Sequence, residues 1–244
     1  GRRNDRTEGP AAMRAFDLAT GELLWDTETM EAATTDGSRD RMIKQTEFGP
    51  KNFSFAGPPL IRGDRLYAAV ITSPLTGRNS YAVCLDARTG RPIWTSAVAT
   101  APATRNLTQL TTIAEDAGTL VVCSNFGVLA ALDAETGAFE WLVKYRDIDS
   151  PEPRQAASPP LIAGSLIYLL AQDVDELLAF DRWTGRQVAL PKPSEPLPWT
   201  SFRRLAGRLG DWILLTGVKN AAYHVGDGRV ASLMSVEGDI LGRA

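Results

Sequence analysis

The sequence predicts an all-β protein built as a β-propeller of four-stranded antiparallel blades. A motif, A-x-D-x-x-T-G-x-x-x-W, recurs along the chain, and internal repetition indicates a repeat architecture. Short apolar runs alternate with Gly, Pro, Asn and Asp turns, and no amphipathic helix of useful length is present. Tandem four-stranded units of this size are typical of propeller blades.

The motif is clearest at Ala131–Trp141 and recurs at Ala15–Trp25 and Cys84–Trp94, while the copy at Ala179–Ala189 has alanine in the tryptophan position. Its aspartate can accept hydrogen bonds from amides of its own turn, and its glycine takes the positive φ that closes a hairpin. We therefore expect the motif residues to be structural. They are Asp17, Gly21, Trp25, Asp86, Gly90, Trp94, Asp133, Gly137, Trp141, Asp181 and Gly185.

The motif tryptophan suits a propeller for a second reason. A large planar side chain on the outer strand can wedge against the next blade, and its indole N–H can reach a backbone carbonyl there. We expect this role, rather than base stacking, for the repeat tryptophans.

The whole chain, 1–244, is predicted to form a single propeller domain or a fragment of one. In the last unit His224 takes the place of the aspartate and Gly228 that of the glycine. Long inserts in compact repeats are often functional loops. The predicted parts are a hairpin at 13–25, an insertion at 26–51, and blades at about 56–98, 108–145, 157–190 and 202–236.

Composition excludes several classes of protein. The formal net charge is −3 and no extended basic stripe is present, which disfavours nucleic acid binding. No apolar run is long enough to span a bilayer. Cys84 and Cys123 lie in apolar, strand-like runs, where a free cysteine packs as a small hydrophobe. One histidine without clustered Cys/His spacing does not indicate a zinc site.

The repeated motif is similar to the signature of the quinoprotein-dehydrogenase-like, or PQQ-like, β-propeller repeat, over essentially the whole chain. That family includes quinone-cofactor dehydrogenases, the propeller lipoprotein of the bacterial outer-membrane assembly machinery, and envelope propellers without known activity. The chain most resembles the non-catalytic envelope members. The resemblance implies a bacterial, periplasmic or otherwise extracytoplasmic protein, and it identifies the blade rather than the chemistry.

The resemblance also defines what an enzyme of this family would need. Its dehydrogenases hold the quinone against a tryptophan floor and a disulfide between adjacent cysteines, with a calcium ion held by Glu and Asn and an Asp base. Here Cys84 and Cys123 are far apart, and no Glu/Asn/Asp set can be assigned by motif. We therefore expect no catalytic residue, cofactor or metal. PQQ and calcium enter only under the alternative that the chain is a fragment of a PQQ-dependent dehydrogenase.

Blade counting predicts a partial ring. Rings in this family need seven or eight blades, whereas this sequence supplies about four to five, starting in mid-blade at Met13. The polar start at Gly1–Arg6, without an initiator Met, is interpreted as a processed or excised end. We expect a protein partner or further blades of the same parent chain to complete the ring, or an open arc with an exposed blade edge.

Binding residues are expected where the repeat is irregular. In each blade the turns between first and second and between third and fourth strands share one face, the turn face. The second–third loops and the connections between blades form the other, the loop face. Short Thr-Gly turns predict a plain turn face, so we assign binding to the loop face. Its candidate residues are Lys51, Arg105, Asn106, Arg146, Asp147, Asp173 and Lys219.

Three functions follow as hypotheses. The leading one is a non-catalytic scaffold that binds a protein or envelope component through its loop face or an exposed blade edge. The second is a fragment of a PQQ-dependent dehydrogenase. The third is a propeller that binds a small ligand or polysaccharide, for which the sequence offers no specific motif.

Overall fold

The structure is a computed structural model. Within the stretches it describes, the secondary structure consists of antiparallel β-strands and one 3₁₀ turn, Trp199–Ser201. The predicted all-β fold with four-stranded antiparallel blades is confirmed. The insertion at 26–51 lies outside these stretches except for Asp26 and Thr27. The described residues are 12–27, 53–72, 77–102, 111–124, 127–146, 158–171 and 174–232.

The chain divides into two compact units, Gly1–Ser150 and Pro151–Ala244. The first unit holds a two-stranded hairpin and two four-stranded blades. The first hairpin consists of β1 (Arg14–Phe16) and β2 (Leu23–Asp26). Blade 1 consists of β3 (Phe53–Arg62), β4 (Arg65–Thr72), β5 (Gly77–Asp86) and β6 (Pro92–Pro102). Blade 2 consists of β7 (Thr112–Asp116), β8 (Thr119–Cys123), β9 (Val128–Asp133) and β10 (Phe139–Lys144).

The second unit holds two more blades, and in all four blades each strand pairs with the next one along the chain. Blade 3 consists of β11 (Leu161–Ala163), β12 (Leu166–Leu169), β13 (Leu178–Asp181) and β14 (Gln187–Val188). Blade 4 consists of β15 (Phe202–Leu209), β16 (Trp212–Gly217), β17 (Ala221–His224) and β18 (Val230–Ser232).

Strand β4 shows how a blade is held between two neighbours. Leu66, Ala68 and Val70 pack in one cluster with Trp25 of the first hairpin. The residues that alternate with them pack in a second cluster with Trp94 and the inner strands of blade 2. Successive side chains of a strand point to opposite faces, so a continuous apolar run is needed when both faces are covered.

The repeat tryptophans dock each element of the first unit on the next one. The indole N–H of Trp25 donates to the carbonyl of Ala87 in blade 1, at 3.1 Å. The indole N–H of Trp94 donates to the carbonyl of Ala134 in blade 2, also at 3.1 Å. Each acceptor directly follows the aspartate of a motif turn. Both rings are buried, so each hydrogen bond satisfies a polar group that would otherwise lie unpaired in an apolar interface.

The motif glycine forms the surface against which the indole packs. Gly137 has a φ of +71°, and a Cβ built on it would lie 2.6 Å from Cδ2 and Cε3 of Trp94. Next to this contact the hydroxyl of Ser96 donates to the Gly137 carbonyl at 2.6 Å. Glycine is therefore required twice here, for the left-handed backbone and for the close approach of the ring.

In the second unit a backbone segment replaces the tryptophan. Blade 3 has Ala189 at the motif position, and the following Pro-rich connection packs on blade 4 instead. The hydroxyl of Tyr223 donates to the Pro191 carbonyl at 2.5 Å, and the amide of Ser194 donates to the Gly228 carbonyl at 2.7 Å. The Lys192 carbonyl occupies the space where a Cβ on Gly228 would lie. The motif glycine is again the point of closest approach.

Strand β5 begins at Gly77, within a stretch, 73–80, whose polar composition is typical of a loop. Ser80 is fully buried, and its hydroxyl lies 2.7 Å from the hydroxyl of Thr111. This polar pair lets the strand continue into the interface, which the polar composition of the segment did not suggest.

Replacing Gly137 by alanine is expected to destabilise the first unit more than replacing Gly21. Both glycines hold the same motif position, with φ of +71° and +74°, but nothing lies within 4 Å of a Cβ on Gly21. Left-handed alanine costs about 1–2 kcal/mol at either site, and the clash with Trp94 adds about 1–3 kcal/mol at Gly137. Urea unfolding of both variants measures the difference, and equal losses of stability would contradict the packing described above.

Candidate protein-binding surfaces

The motif aspartates organise their own turns. One carboxylate oxygen of Asp17 accepts hydrogen bonds from the Ala19 amide at 2.9 Å, the Thr20 amide at 2.8 Å and the Thr20 hydroxyl at 3.2 Å. Asp86 and Asp181 each accept the same three bonds, and Asp133 accepts the two from Thr136. The carboxylate is thus an acceptor that closes the hairpin.

These hydrogen bonds keep the carboxylates ionised. The Thr20 amide is the main cause that lowers the pKa of Asp17. The neighbouring threonine hydroxyl is the main cause that lowers the pKa of Asp86, Asp133 and Asp181. Donors directed at the charged form favour it. A carboxylate held in this way is a poor proton donor near neutral pH, which fits a structural role.

Blade 4 closes the same turn around a different side chain. The Gly228 amide donates to the His224 carbonyl at 2.9 Å, as in the aspartate turns. The Nδ1 atom of His224 lies 2.7 Å from Oδ1 of Asp227 but is not aligned for a hydrogen bond. Hydrogen bonding by the Arg229 amide is the main cause that lowers the pKa of Asp227. The imidazole also packs edge-on against Trp212, with ring centroids 4.9 Å apart.

The described residues do not fit a quinone cofactor. Cys84 and Cys123 are free, buried, and carried by different strands, β5 and β8, so they cannot supply a disulfide between adjacent cysteines. Burial raises the pKa of the Cys84 thiol to about 11. No three His, Cys, Asp or Glu side chains of the described stretches are grouped so that they could hold a metal ion.

Two of the seven predicted loop-face residues lie within the described part of the chain. Arg146 is half-buried just after β10, and Lys219 is exposed in the turn between β16 and β17. They belong to different units, and each is described by itself. The remaining five candidates lie outside the described residues; they are Lys51, Arg105, Asn106, Asp147 and Asp173.

The turn that carries Lys219 is well ordered by hydrogen bonds. The Gly217 amide donates to the side chain of Asn220 at 3.3 Å, and the Val218 amide donates to the Ser201 carbonyl at 2.9 Å. This backbone presents Val218 with 74% of its side chain exposed, directly beside the ammonium-bearing Lys219. An apolar residue bordered by a polar one resembles the centre and rim of a protein interface. Val218 was not among the residues predicted from the sequence, because those were charged or polar.

The turn face carries exposed apolar side chains. Leu18 is fully exposed and Trp183 is 66% exposed, and both lie in turns that join the two strands of a hairpin. Leu209, which ends strand β15 beside the next such turn, is 70% exposed. The second of the two positions between the motif aspartate and threonine is exposed in all four copies of the motif. Trp183 could have been found from the sequence, because tryptophan stands where the other motif copies have Ala19, Arg88 and Glu135.

A family model described as outer membrane protein assembly factor BamB matches residues 11–109 and 78–242. The chain belongs to this family of PQQ-like β-propellers. None of the curated proteins matches the chain. Among the residues that the structure describes, no helix has the length and apolar character needed to cross a bilayer.

Solved structures that the chain is similar to include a BamB, an alcohol dehydrogenase and a designed protein. BamB from Moraxella catarrhalis is 16% identical with a TM-score of 0.44, covering 73% of this chain and 64% of that protein. A quinohemoprotein alcohol dehydrogenase from Pseudomonas putida HK5 is 16% identical with a TM-score of 0.44, covering 75% and 36%. The computationally designed Ika4 protein is 10% identical with a TM-score of 0.47, covering 71% and 92%. The chain thus spans less than two thirds of the length of the first two.

Acid is expected to weaken the fold through the motif aspartates. Their folded pKa values lie below the ordinary 3.8, so their contribution is present above about pH 4 and is lost as the pH falls through the lowered values. The variant Thr136→Val removes the main donor to Asp133 and should therefore lose less stability on acidification. Thr100→Val, at an exposed strand position, serves as the control. Urea unfolding at pH 7, 4 and 3 compares them, and identical acid dependence in all three proteins would contradict the assignment.

Proposed function

We propose that this protein is a non-catalytic β-propeller scaffold that binds a protein component of outer-membrane protein assembly in the bacterial envelope. The family match over residues 11–242 supports the class of function. The periplasm is the compartment in which such a scaffold would meet its partner.

One observation carries the proposal. The repeated residues that could take part in chemistry are used to build the fold. The aspartates close hairpins, and Trp25 and Trp94 each dock one element of the first unit on the next. A carboxylate whose pKa is lowered by local hydrogen-bond donors is a weaker base than an ordinary aspartate. The groups that remain available are exposed side chains of turns and loops, and such surfaces suit recognition rather than catalysis.

The contact surface we assign includes the β16–β17 turn of blade 4. Val218 offers an apolar side chain on a backbone that hydrogen bonds already hold, so little conformational entropy is lost when a partner covers it. Lys219 beside it supplies a charge at the rim, where charges contribute to orientation and association rate.

A double variant of this turn, Val218→Ser with Lys219→Glu, is expected to lower partner affinity at least about tenfold. The control is Leu209→Ser, which removes a similarly exposed apolar side chain at the end of β15, paired with the first residue of β16. The readout is recovery, after cross-linking in the source bacterium's envelope, of an outer-membrane protein assembly component identified by mass spectrometry. Failure to recover such a component, or equal loss with Leu209→Ser, would refute the assignment.

The enzyme alternative has its own test. Because the cysteines and carboxylates do not fit a quinone site, adding PQQ and calcium to the protein is expected to produce no quinone absorbance change and no dye reduction with alcohols or glucose. A saturable spectral shift upon PQQ addition would overturn the scaffold proposal in favour of a dehydrogenase fragment.

A further inference from the structure

Strand β15 contains a β-bulge close to the β16–β17 turn of blade 4. Phe202 pairs with Gly217 and Arg204 pairs with Thr216, so Arg203 has no opposite residue in the ladder. In a regular strand successive side chains point to opposite faces, and a bulge interrupts this alternation. Arg203 and Arg204 are both exposed. The bulge therefore presents two guanidinium groups to solvent at one place on the blade.

Gly217 brings this bulge into contact with the turn. A Cβ on Gly217 would lie 2.8 Å from the amide nitrogen of Arg203 and would also meet the carbonyl oxygen of Ser201. The next amide, that of Val218, donates to the same Ser201 carbonyl at 2.9 Å. Backbone contacts thus hold the arginines beside the turn that carries Lys219. We call the following four residues the basic turn patch: Arg203, Arg204, Val218 and Lys219.

The positive charges of the basic turn patch are not compensated within the described stretches. None of its three cationic side chains forms an ion pair or a side-chain hydrogen bond there. The described part of blade 4 contains two carboxylates, and both lie in turns of the turn face. Asp211 pairs with Arg208 at 3.0 Å, and Asp227 pairs with Arg229 at 2.7 Å. The patch is therefore a local excess of positive charge around one exposed apolar side chain.

We propose that the basic turn patch binds a short acidic segment of a protein partner. The carboxylates of the segment accept hydrogen bonds from Arg203 and Arg204 and pair with Lys219, while an apolar side chain between them covers Val218. The planar guanidinium group suits this role, because its donors match the two oxygens of a carboxylate. The inference rests on the proposed scaffold function and names the chemistry of the partner at the same turn.

The neighbouring blade favours a short segment over an extended anionic surface. Asp175 and Glu176 are exposed in the corresponding second–third loop of blade 3. A lipid surface or a nucleic acid would bring anions close to these carboxylates as well, and like charges repel. An acidic segment of a few residues contacts blade 4 alone, so its charge is complementary to the whole of its contact surface.

The test uses the peptide acetyl-EDLDE-amide as a minimal probe of the whole chain. NMR shifts of the Val218, Lys219 and Asn220 amides are expected to saturate with roughly millimolar affinity, as suits a short flexible ligand. The uncharged peptide acetyl-QNLNQ-amide should bind at least about tenfold more weakly, because it lacks the carboxylates. The peptide acetyl-EDSDE-amide should bind at least about threefold more weakly, because it has no apolar side chain to cover Val218.

Protein variants locate the binding on the bulge. Arg203→Gln and Arg204→Gln should each weaken acetyl-EDLDE-amide at least about threefold, because each removes one charged donor. The matched control is Arg186→Gln, which removes one exposed arginine from a turn of blade 3 and should leave the affinity unchanged. If a variant of the bulge loses amide dispersion in blade 4, the comparison of the three peptides on the unaltered protein decides alone.

Three results would overturn the proposal. The first is equal binding of acetyl-EDLDE-amide and acetyl-QNLNQ-amide, or no saturable shift at Val218. The second is equal weakening by Arg186→Gln, because the effect would then come from the overall charge of the protein. The third is co-sedimentation with phosphatidylglycerol vesicles that is lost in Arg203→Gln and Arg204→Gln, because the occupant would then be a lipid surface.

The outcome is separable from that of the scaffold function. In the envelope cross-linking experiment, Arg203→Gln combined with Arg204→Gln should lower the recovery of the assembly component. Unchanged recovery, together with no peptide binding, refutes the acidic segment and leaves the scaffold function standing. Peptide binding without recovery of any assembly component refutes the scaffold function and leaves the recognition of acidic segments standing.

Discussion

The hydrogen bond from a buried indole to the carbonyl of the next motif turn is the interaction on which the first unit depends. It joins Trp25 to Ala87 and Trp94 to Ala134, each at 3.1 Å. A large ring covers apolar surface on both sides, and its one polar atom needs a partner once water is excluded. The motif turn supplies that partner in a fixed place, because its aspartate orients the amides and its glycine leaves room for the ring. The tryptophan of one element and the motif turn of the next therefore act together to hold adjacent elements of the first unit in place.

In the second unit a different contact replaces the one between the tryptophan and the motif turn. With Ala189 in place of tryptophan, the connection after blade 3 lies directly on blade 4, and Tyr223 satisfies the carbonyl of Pro191. Gly228 keeps its role, since the Lys192 backbone now occupies the space that a side chain would need. Gly137 and Gly228 are thus both points of close approach, while the group that approaches differs between the two units. A Pro-rich segment suits this substitution because proline restricts the backbone before it packs.

Because the motif residues are used by the fold, few of them are left to carry a function. Carboxylates that accept several local hydrogen bonds and tryptophans that dock blades are committed to the fold, as their lowered pKa values and burial indicate. The side chains available to partners are those that the repeat leaves pointing outward, such as Trp183, Leu209 and Val218. The residues predicted from the sequence were charged or polar ones of the loop face, and these apolar residues were missed. Trp183 and Val218 lie in turns and Leu209 lies at the end of β15, so their exposure depends on their place in the blade rather than on residue type.

The sequence by itself determined the blade: spacing of Asp, Thr-Gly and Trp is a local property, and local hydrogen bonds and backbone preference are enough to define the turn. Only the tertiary structure decided what each copy of the motif does. Phe16 and Leu85 both precede a motif aspartate, yet one is 54% exposed and the other 5%. Burial of that position depends on whether a neighbouring blade covers it, and the residues of the motif carry no information about their neighbour. For the same reason Gly21 and Gly137 share a sequence position and a backbone conformation, while only Gly137 is in contact with an indole ring.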